Sequence, residues 1–195
     1  MQEKRAFYSR PDVSDRYDDQ RFGGPSGERV HTREIALVTE LLGSSGYTGA
    51  GRILDLACGT GRLTRVLIEQ GRDVVAIDAS PPMAVKTATF GGPTVLGDAF
   101  ALPFLEHAFD TVVALRLAFH FQQLDSLQGE MARVISPGGT LIFDTYTWSP
   151  RALWALGATS WGGRVYLHRK GDVEQAASGL GLQIQQVRPC FLFSP

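Results

Sequence analysis

Four polar features of this 195-residue sequence stand where chemistry is to be expected: Asp55–Gly61, Asp78, Asp98 and the run Arg116–His120. Each follows a short apolar run. In Asp55-Leu-Ala-Cys-Gly-Thr-Gly61 the glycines make a tight turn that lets a ligand approach the backbone, and a helix starting there offers free N–H groups to an anionic moiety. A tight turn with no ligand has the same pattern. A carboxylate at Asp78 can accept both hydroxyls of an adenosine ribose. Its competing role, as a helix cap or turn residue, can be filled by Ser80 instead. Asp98, within Gly97–Asp98–Ala99, can accept from an adenine amino group while the next backbone N–H donates to the ring. His120 is placed to take a proton from a reacting group, or is simply a packed or surface histidine.

The elements around these residues alternate. Ile53–Ala57, Asp73–Ile77, Thr94–Leu96, Phe109–Leu115 and Thr140–Thr145 have the short, continuous apolar character of strands buried on both faces. Between them lie helical patterns: Leu63 to Gly71, a helix after Ser80 with Pro81 or Pro82 in its first turn, and Leu124–Ile135 closed by Pro137–Gly138–Gly139. Alternation at this spacing predicts an α/β fold with a doubly wound, mostly parallel sheet and helices on both faces. In such a sheet ligands sit beyond the carboxyl ends of the strands, where the four polar features fall.

The flanking segments are less regular. Val13, Tyr17, Gln20 and Arg21 share one face of a short helix within Phe7–Phe22, and Glu28–Leu42 carries an apolar stripe of Val30, Ile35, Leu37, Val38, Leu41 and Leu42. Tyr146–Gly163, with three tryptophans, reads as an irregular segment or lid. Asp172 and Gln175 form a capping-box pattern before a helix to Ser178, and Leu182–Phe193 reads as a sixth strand. The chain is expected to be one domain: a helical cap over 1–45, a ligand-binding core over 50–147, and an irregular segment and sheet edge over 148–195.

Composition narrows the function classes. A formal net charge of −1 leaves no electrostatic footprint for nucleic acid, and the arginines of the first third (Arg5, Arg10, Arg16, Arg21, Arg29, Arg33) are interleaved with acids as on a solvated surface. Two cysteines, Cys58 and Cys190, make neither a disulfide framework nor a metal motif. Phe109–Phe121 is too short to span a bilayer and carries Arg116, and Met1–Arg10 has no apolar signal region, so a cytoplasmic protein without a metal is expected.

The glycine loop alone does not choose a cofactor. A dinucleotide fingerprint beginning at Gly59 needs glycine where Thr64 stands, and the Gly97–Asp98–Ala99 turn has no special use in a nicotinamide enzyme. Asp55-Leu-Ala-Cys-Gly-Thr-Gly61, Asp78-Ala-Ser-Pro-Pro-Met83, Gly97-Asp-Ala-Phe-Ala-Leu-Pro103 and Arg133-Val-Ile-Ser-Pro-Gly-Gly139 resemble the successive motifs of class I S-adenosylmethionine-dependent methyltransferases. Within that class they are most similar to the type 11 group, which includes ubiquinone/menaquinone-biosynthesis C-methyltransferases. Ala57 departs from the pattern, where the family often has glycine.

The resemblance implies a Rossmann-like fold and a set of cofactor contacts. Asp55, Ala57, Gly59 and Gly61 belong to the loop under the methionine part of S-adenosylmethionine. Asp78 holds the ribose, Ala79 and Met83 pack on the adenine, and Asp98 and Ala99 read its edge. Leu115 and Arg116 sit beside the sulfonium, and Tyr17 and Arg21 close over the methionine end. Methyl transfer then asks mainly for in-line positioning and a dry site, with His120 as the base if the acceptor carries a proton. Phe119, Phe121, Trp148, Trp154 and Trp161 are candidates to wall an apolar or aromatic small-molecule acceptor, or else belong to the core. Two rivals remain: a non-catalytic S-adenosylmethionine-binding regulatory or assembly partner, and a nicotinamide-dependent oxidoreductase. Family members usually add a final antiparallel strand, for which this sequence leaves no room. A truncation, or an open edge that self-associates, is expected.

Overall fold

The computed structural model describes residues 2–44, 51–147 and 165–190. Five strands, β1 (Arg52–Leu56), β2 (Asp73–Asp78), β3 (Thr94–Leu96), β4 (Phe109–Ala114) and β5 (Ile135–Phe143), form one sheet in the order β3-β2-β1-β4-β5. All four pairings are parallel. The order reverses between β1 and β4, which opens a crevice at their carboxyl ends. The expected doubly wound α/β fold is therefore the one observed.

Period-two alternation divides the core between the two faces of the sheet. Leu54 and Leu56 of β1 join Val112 and Ala114 of β4 against Leu127 and Met131 of α6 (Asp125–Val134). Ile53 joins Val74 and Val113 against Val38 and Leu42 of α3 (Gly24–Ser44) and Leu63 and Leu67 of α4 (Arg62–Glu69). With apolar helices on both sides, β1 and β4 need apolar residues on both faces, hence runs interrupted only by Asp55 in the one and Asp110–Thr111 in the other. α5 (Pro81–Ala88) starts as anticipated, with Pro81 in its first turn and Ser80 Oγ accepting the Met83 N–H at 3.4 Å.

Several boundaries differ from those read in the sequence. The N-terminal segment is two helices, α1 (Gln2–Tyr8) and α2 (Pro11–Phe22), because Pro11 lacks the N–H needed to continue α1 and is preorganised to start α2. α3 begins at Gly24, with Pro25 in its first turn. Pro137–Gly138–Gly139 does not end a helix before β5. It lies inside β5, where the register with β4 jumps from Phe109↔Ile135 to Thr111↔Thr140. Gly139 permits this, since a β-carbon there would lie 2.7 Å from the Asp110 carbonyl oxygen.

At the C-terminal end, α7 (Lys170–Gly179) is entered from Arg169, which makes no side-chain cap. The capping-box reading of Asp172 is thus wrong; Asp172 sits in the first turn, where its charge suits the helix dipole. The sixth strand is also absent over the described part of Leu182–Phe193: residues 182–190 pair with no strand, and Val187 is 57% exposed. The apolar alternation breaks at Gln185–Gln186, and Pro189 removes a ladder donor. The proposed lid is outside the described residues from Trp148 to Gly163, and with it Trp148, Trp154 and Trp161. Among the described residues no helix is long and apolar enough to cross a membrane, and no His/Cys/Asp/Glu group could hold a metal.

Candidate active site

A cavity opens at the carboxyl ends of β1, β2 and β4, under α1 and α2. Its floor is the glycine loop after β1. Asp55 shares the face of Ile53 and so points toward α4, where Thr64 Oγ1 donates to it at 2.5 Å. Burial raises the Asp55 carboxyl to about 6, against the opposing Thr64 bond. Asp78 accepts the Gly59 N–H and the Ser80 N–H, each at 2.8 Å and each on a different carboxylate oxygen. A carboxylate has about four acceptor positions, so two remain for other donors. Burial pushes Asp78 upward, opposed by these backbone N–H groups.

Asp55, Ala57, Gly59, Asp78, Ala79 and Met83 all line this cavity, as do Asp98, Ala99, Leu115, Arg116, Tyr17 and His120. Two expected residues do not. Gly61 (φ 82°) starts α4, and a β-carbon on it would lie 2.8 Å from the Phe90 ring; it is a packing glycine behind the loop. Arg21 is not itself a lining residue; its guanidinium lies 5.9 Å from the Tyr17 ring centroid, and its charge is felt by Tyr8 and His120, which do line the cavity. Phe119 is core: 1% exposed, it stacks on Tyr146 with centroids 4.5 Å apart. Phe121 does line the cavity, edge-on to Phe100 at 4.7 Å.

The roof and the far wall are built from side chains that local pattern did not mark. Lys4 Nζ lies 3.0 Å from His120 Nδ1. Burial lowers Lys4 to about 8, and burial together with Lys4, Arg116 and Arg21 lowers His120 to about 3, so the imidazole is neutral and accepts from the ammonium. Thr60 Oγ1 donates to Asp18 of α2 at 2.7 Å, and Ser80 Oγ donates to the Tyr8 carbonyl at 2.7 Å. Behind the wall, Glu34 of α3 takes Arg62 at 2.9 Å and Arg116 at 3.0 Å. Asp144, one residue past β5, accepts the Arg116 N–H at 2.5 Å and is raised by burial to about 6 despite the arginine.

Backbone strain gathers here too. Ala57 (φ 58°) and Arg116 (φ 59°) are two of three non-glycine residues with positive φ among the described residues, and both line the cavity. Such conformations are held only where surrounding contacts over-determine them.

Residues 54–143 match a family model described as a methyltransferase domain. That segment holds the glycine loop, Asp78, Asp98 and Arg116. The likeness to that family is thus carried by the cavity-lining part of the sheet. A demethylmenaquinone methyltransferase of Thermus thermophilus is 39% identical over 113 residues, which cover 54% of this chain and 51% of that protein. The chain thus spans about half the length of this curated relative. Among solved structures, the magnesium protoporphyrin IX methyltransferase of Synechocystis PCC 6803, with bound SAH, superposes with a TM-score of 0.75 at 17% identity, covering 94% of this chain and 91% of that one. The cyclase SpnF also superposes (TM-score 0.59, 21% identity, 75% and 56% covered). Likeness at this level shows the fold alone, and the pair illustrates that one fold carries different chemistries.

Of the site residues that sequence reasoning missed, one left a trace. Glu34 stands among Val30, Leu37 and Val38 on the apolar stripe of α3, and a carboxylate in such a stripe signals a buried partner. Lys4, Tyr8, Asp18 and Arg62 left none, since helix packing alone brings them to the cavity.

Proposed function

We propose that this protein binds S-adenosylmethionine in the cavity and transfers its sulfonium methyl group to a small-molecule acceptor. The observation that carries this is Asp78. Both of its oxygens are aimed by backbone N–H groups of the loops that flank the cavity, and each keeps acceptor capacity for a ribose hydroxyl. The Gly59 turn below and the Asp98–Ala99 turn beside it would then hold the tail and the adenine. Asp98 is kept in place by accepting the Phe100 N–H at 3.0 Å. Tyr17 would close over the methionine end from α2, with Arg21 one helical turn further along.

The acceptor would enter past Phe100, Phe121 and His120, which suit an apolar or aromatic body. The name of the Thermus thermophilus relative favours a quinone-like ring. The sulfonium supplies the activated methyl, and the protein's part is to orient the acceptor and exclude water. His120 is the group proposed to take up a proton from a protic acceptor, after Lys4 has left its Nδ1. Free Cys58 and Cys190 support a cytoplasmic setting. Self-association would involve exposed Ile184 and Val187 or the outer edge of β5, and light scattering across a concentration series tests it.

Calorimetry with S-adenosylhomocysteine and with NADH tests the cofactor, followed by transfer of a labelled methyl group to a metabolite extract. Binding of the former and label in a small-molecule product are expected. Tighter NADH binding would sink the proposal, and cofactor binding with no transfer would favour the non-catalytic rival.

A further inference from the structure

We propose that Glu34 is a positioning residue for the amino-acid tail of the cofactor: it holds Arg62 and Arg116 at fixed places on the cavity wall, where they recognise the tail's carboxylate. This rests on the S-adenosylmethionine reading above. Glu34 is only 6% exposed and lies in the middle of α3. Its two oxygens are divided, Oε2 accepting Arg62 Nη2 at 2.9 Å and Oε1 accepting Arg116 Nη1 at 3.0 Å. Without a carboxylate between them, two guanidinium groups this close would repel and turn outward. With it, Nη2 of Arg62 and Nη1 of Arg116 are fixed on one carboxylate, and each guanidinium is a rigid fork of five N–H donors.

The surroundings tighten both arginines further. Arg62 lies 3.3 Å from the Phe22 ring centroid, with Nη1 2.6 Å from His31 Nδ1. Arg116 comes within 5.4 Å of the same ring, and its backbone N–H is bound by Asp144. Both arginines line the cavity; Arg21, expected at the tail from the sequence, does not. Lys4 and Arg5 put positive charge in the roof and Asp55 a carboxyl in the floor, and Arg62 and Arg116 are the cations on the α3 side. Carboxylates Asp78 and Asp98 stand where nucleoside hydroxyl and amino donors would lie, and two arginines stand toward α3. A ligand with a nucleoside at one end and a carboxylate at the other matches that order. A buried carboxylate in an apolar stripe costs stability unless its partners compensate, and here the compensation is also the wall of a binding site.

The test compares S-adenosylhomocysteine with 5′-methylthioadenosine, which keeps the nucleoside and sulfur but lacks the tail. Calorimetry is run on the wild type, on Glu34→Gln, which has the same shape but can accept from only one arginine, and on Glu34→Asp, which keeps the charge but reaches only one. Thermal melting accompanies each. Glu34→Gln is expected to weaken S-adenosylhomocysteine about tenfold or more, with methylthioadenosine within about twofold. Glu34→Asp, whose retained charge protects the fold, should show the same selective loss at smaller size. Parallel losses for both ligands, or no loss in either variant, would overturn the proposal, since Glu34 would then only brace α3. Equal wild-type affinity for the two ligands overturns tail recognition while leaving the cofactor reading intact. Failure of the wild type to bind either overturns both.

Discussion

On the floor of the cavity, Asp78 holds the N–H groups of Gly59 and Ser80 through bonds between adjacent loops, over strands whose side chains are almost wholly buried. On the roof, Lys4 reaches His120 across 116 positions, and Thr60 reaches Asp18 across 42. The floor is completed by its own backbone and stands without the roof. The roof is a handful of half-buried side-chain bonds from α1 and α2 to loops at the cavity and to His120, each worth about 1 kcal/mol net. Local opening begins where buried apolar contact is thinnest, so the roof is the part expected to open first.

The largest expected effect is on the floor. Asp78→Ala should cost about 1.5–3 kcal/mol in S-adenosylhomocysteine affinity, the value of hydrogen bonds to a charged group, with the sheet intact by circular dichroism. An unchanged dissociation constant would put the ligand elsewhere. Deleting α1 removes Lys4, Arg5 and Tyr8 from the roof. It should speed S-adenosylhomocysteine release by about tenfold while the melting of the sheet moves little. If stopped-flow release is unaltered, α1 is no roof.

A milder break is Thr60→Val, which leaves Asp18 without this donor. Amide exchange in α2 should quicken by an amount matching about 1 kcal/mol while β1 amides stay protected. Equal acceleration in both would erase the contrast between floor and roof. Ala57→Gly should strengthen the floor instead. It relieves a left-handed alanine worth about 1–2 kcal/mol, and the greater freedom of the unfolded chain offsets part of that gain. A net rise of about 0.5–1 kcal/mol in denaturant unfolding is expected.

Acidity separates the two regions by the sign of a slope. His120 falls from 6.5 to about 3 on folding, so the unfolded chain binds the proton more readily. Its contribution is present above pH 6.5 and is lost as pH falls from there toward 3. Asp55 and Asp144 rise from 3.8 to about 6, so the folded chain binds their protons more readily. Their contribution is present below pH 3.8 and is lost as pH rises through 6. Denaturant titrations between pH 4 and 6.5 should show His120→Gln losing less stability than the wild type on acidification. Asp144→Asn should lose less as pH rises. Slopes unchanged in both would mean that neither group is buried as described.

The floor was legible in the residue order because each of its parts is marked by a local pattern, although the Gly59–Asp78 bond itself spans 19 positions. The β1 turn, Asp78 ending β2, and the Ser80 cap three residues before its donor all lie within a few residues of the pattern that announces them. Apolar runs likewise announced the five strands, fully for β1, β2 and β4 and only from Thr140 for β5, which begins at Ile135. Even so, apolar content alone misled at Leu182–Cys190, where no neighbouring strand takes up the pairing. What the order of residues could not convey was direction and distance between helices. Arg21 was assigned to the cavity and stands beside Tyr17 without lining that cavity; Glu34 looked like one residue of an amphipathic helix and joins two arginines; Lys4 carried no signal and meets His120. Those contacts depend on how α1, α2 and α3 lie across the sheet. That placement comes from packing Val38, Leu42 and Phe22 against distant parts of the chain, a sum of many weak contacts that no local pattern encodes.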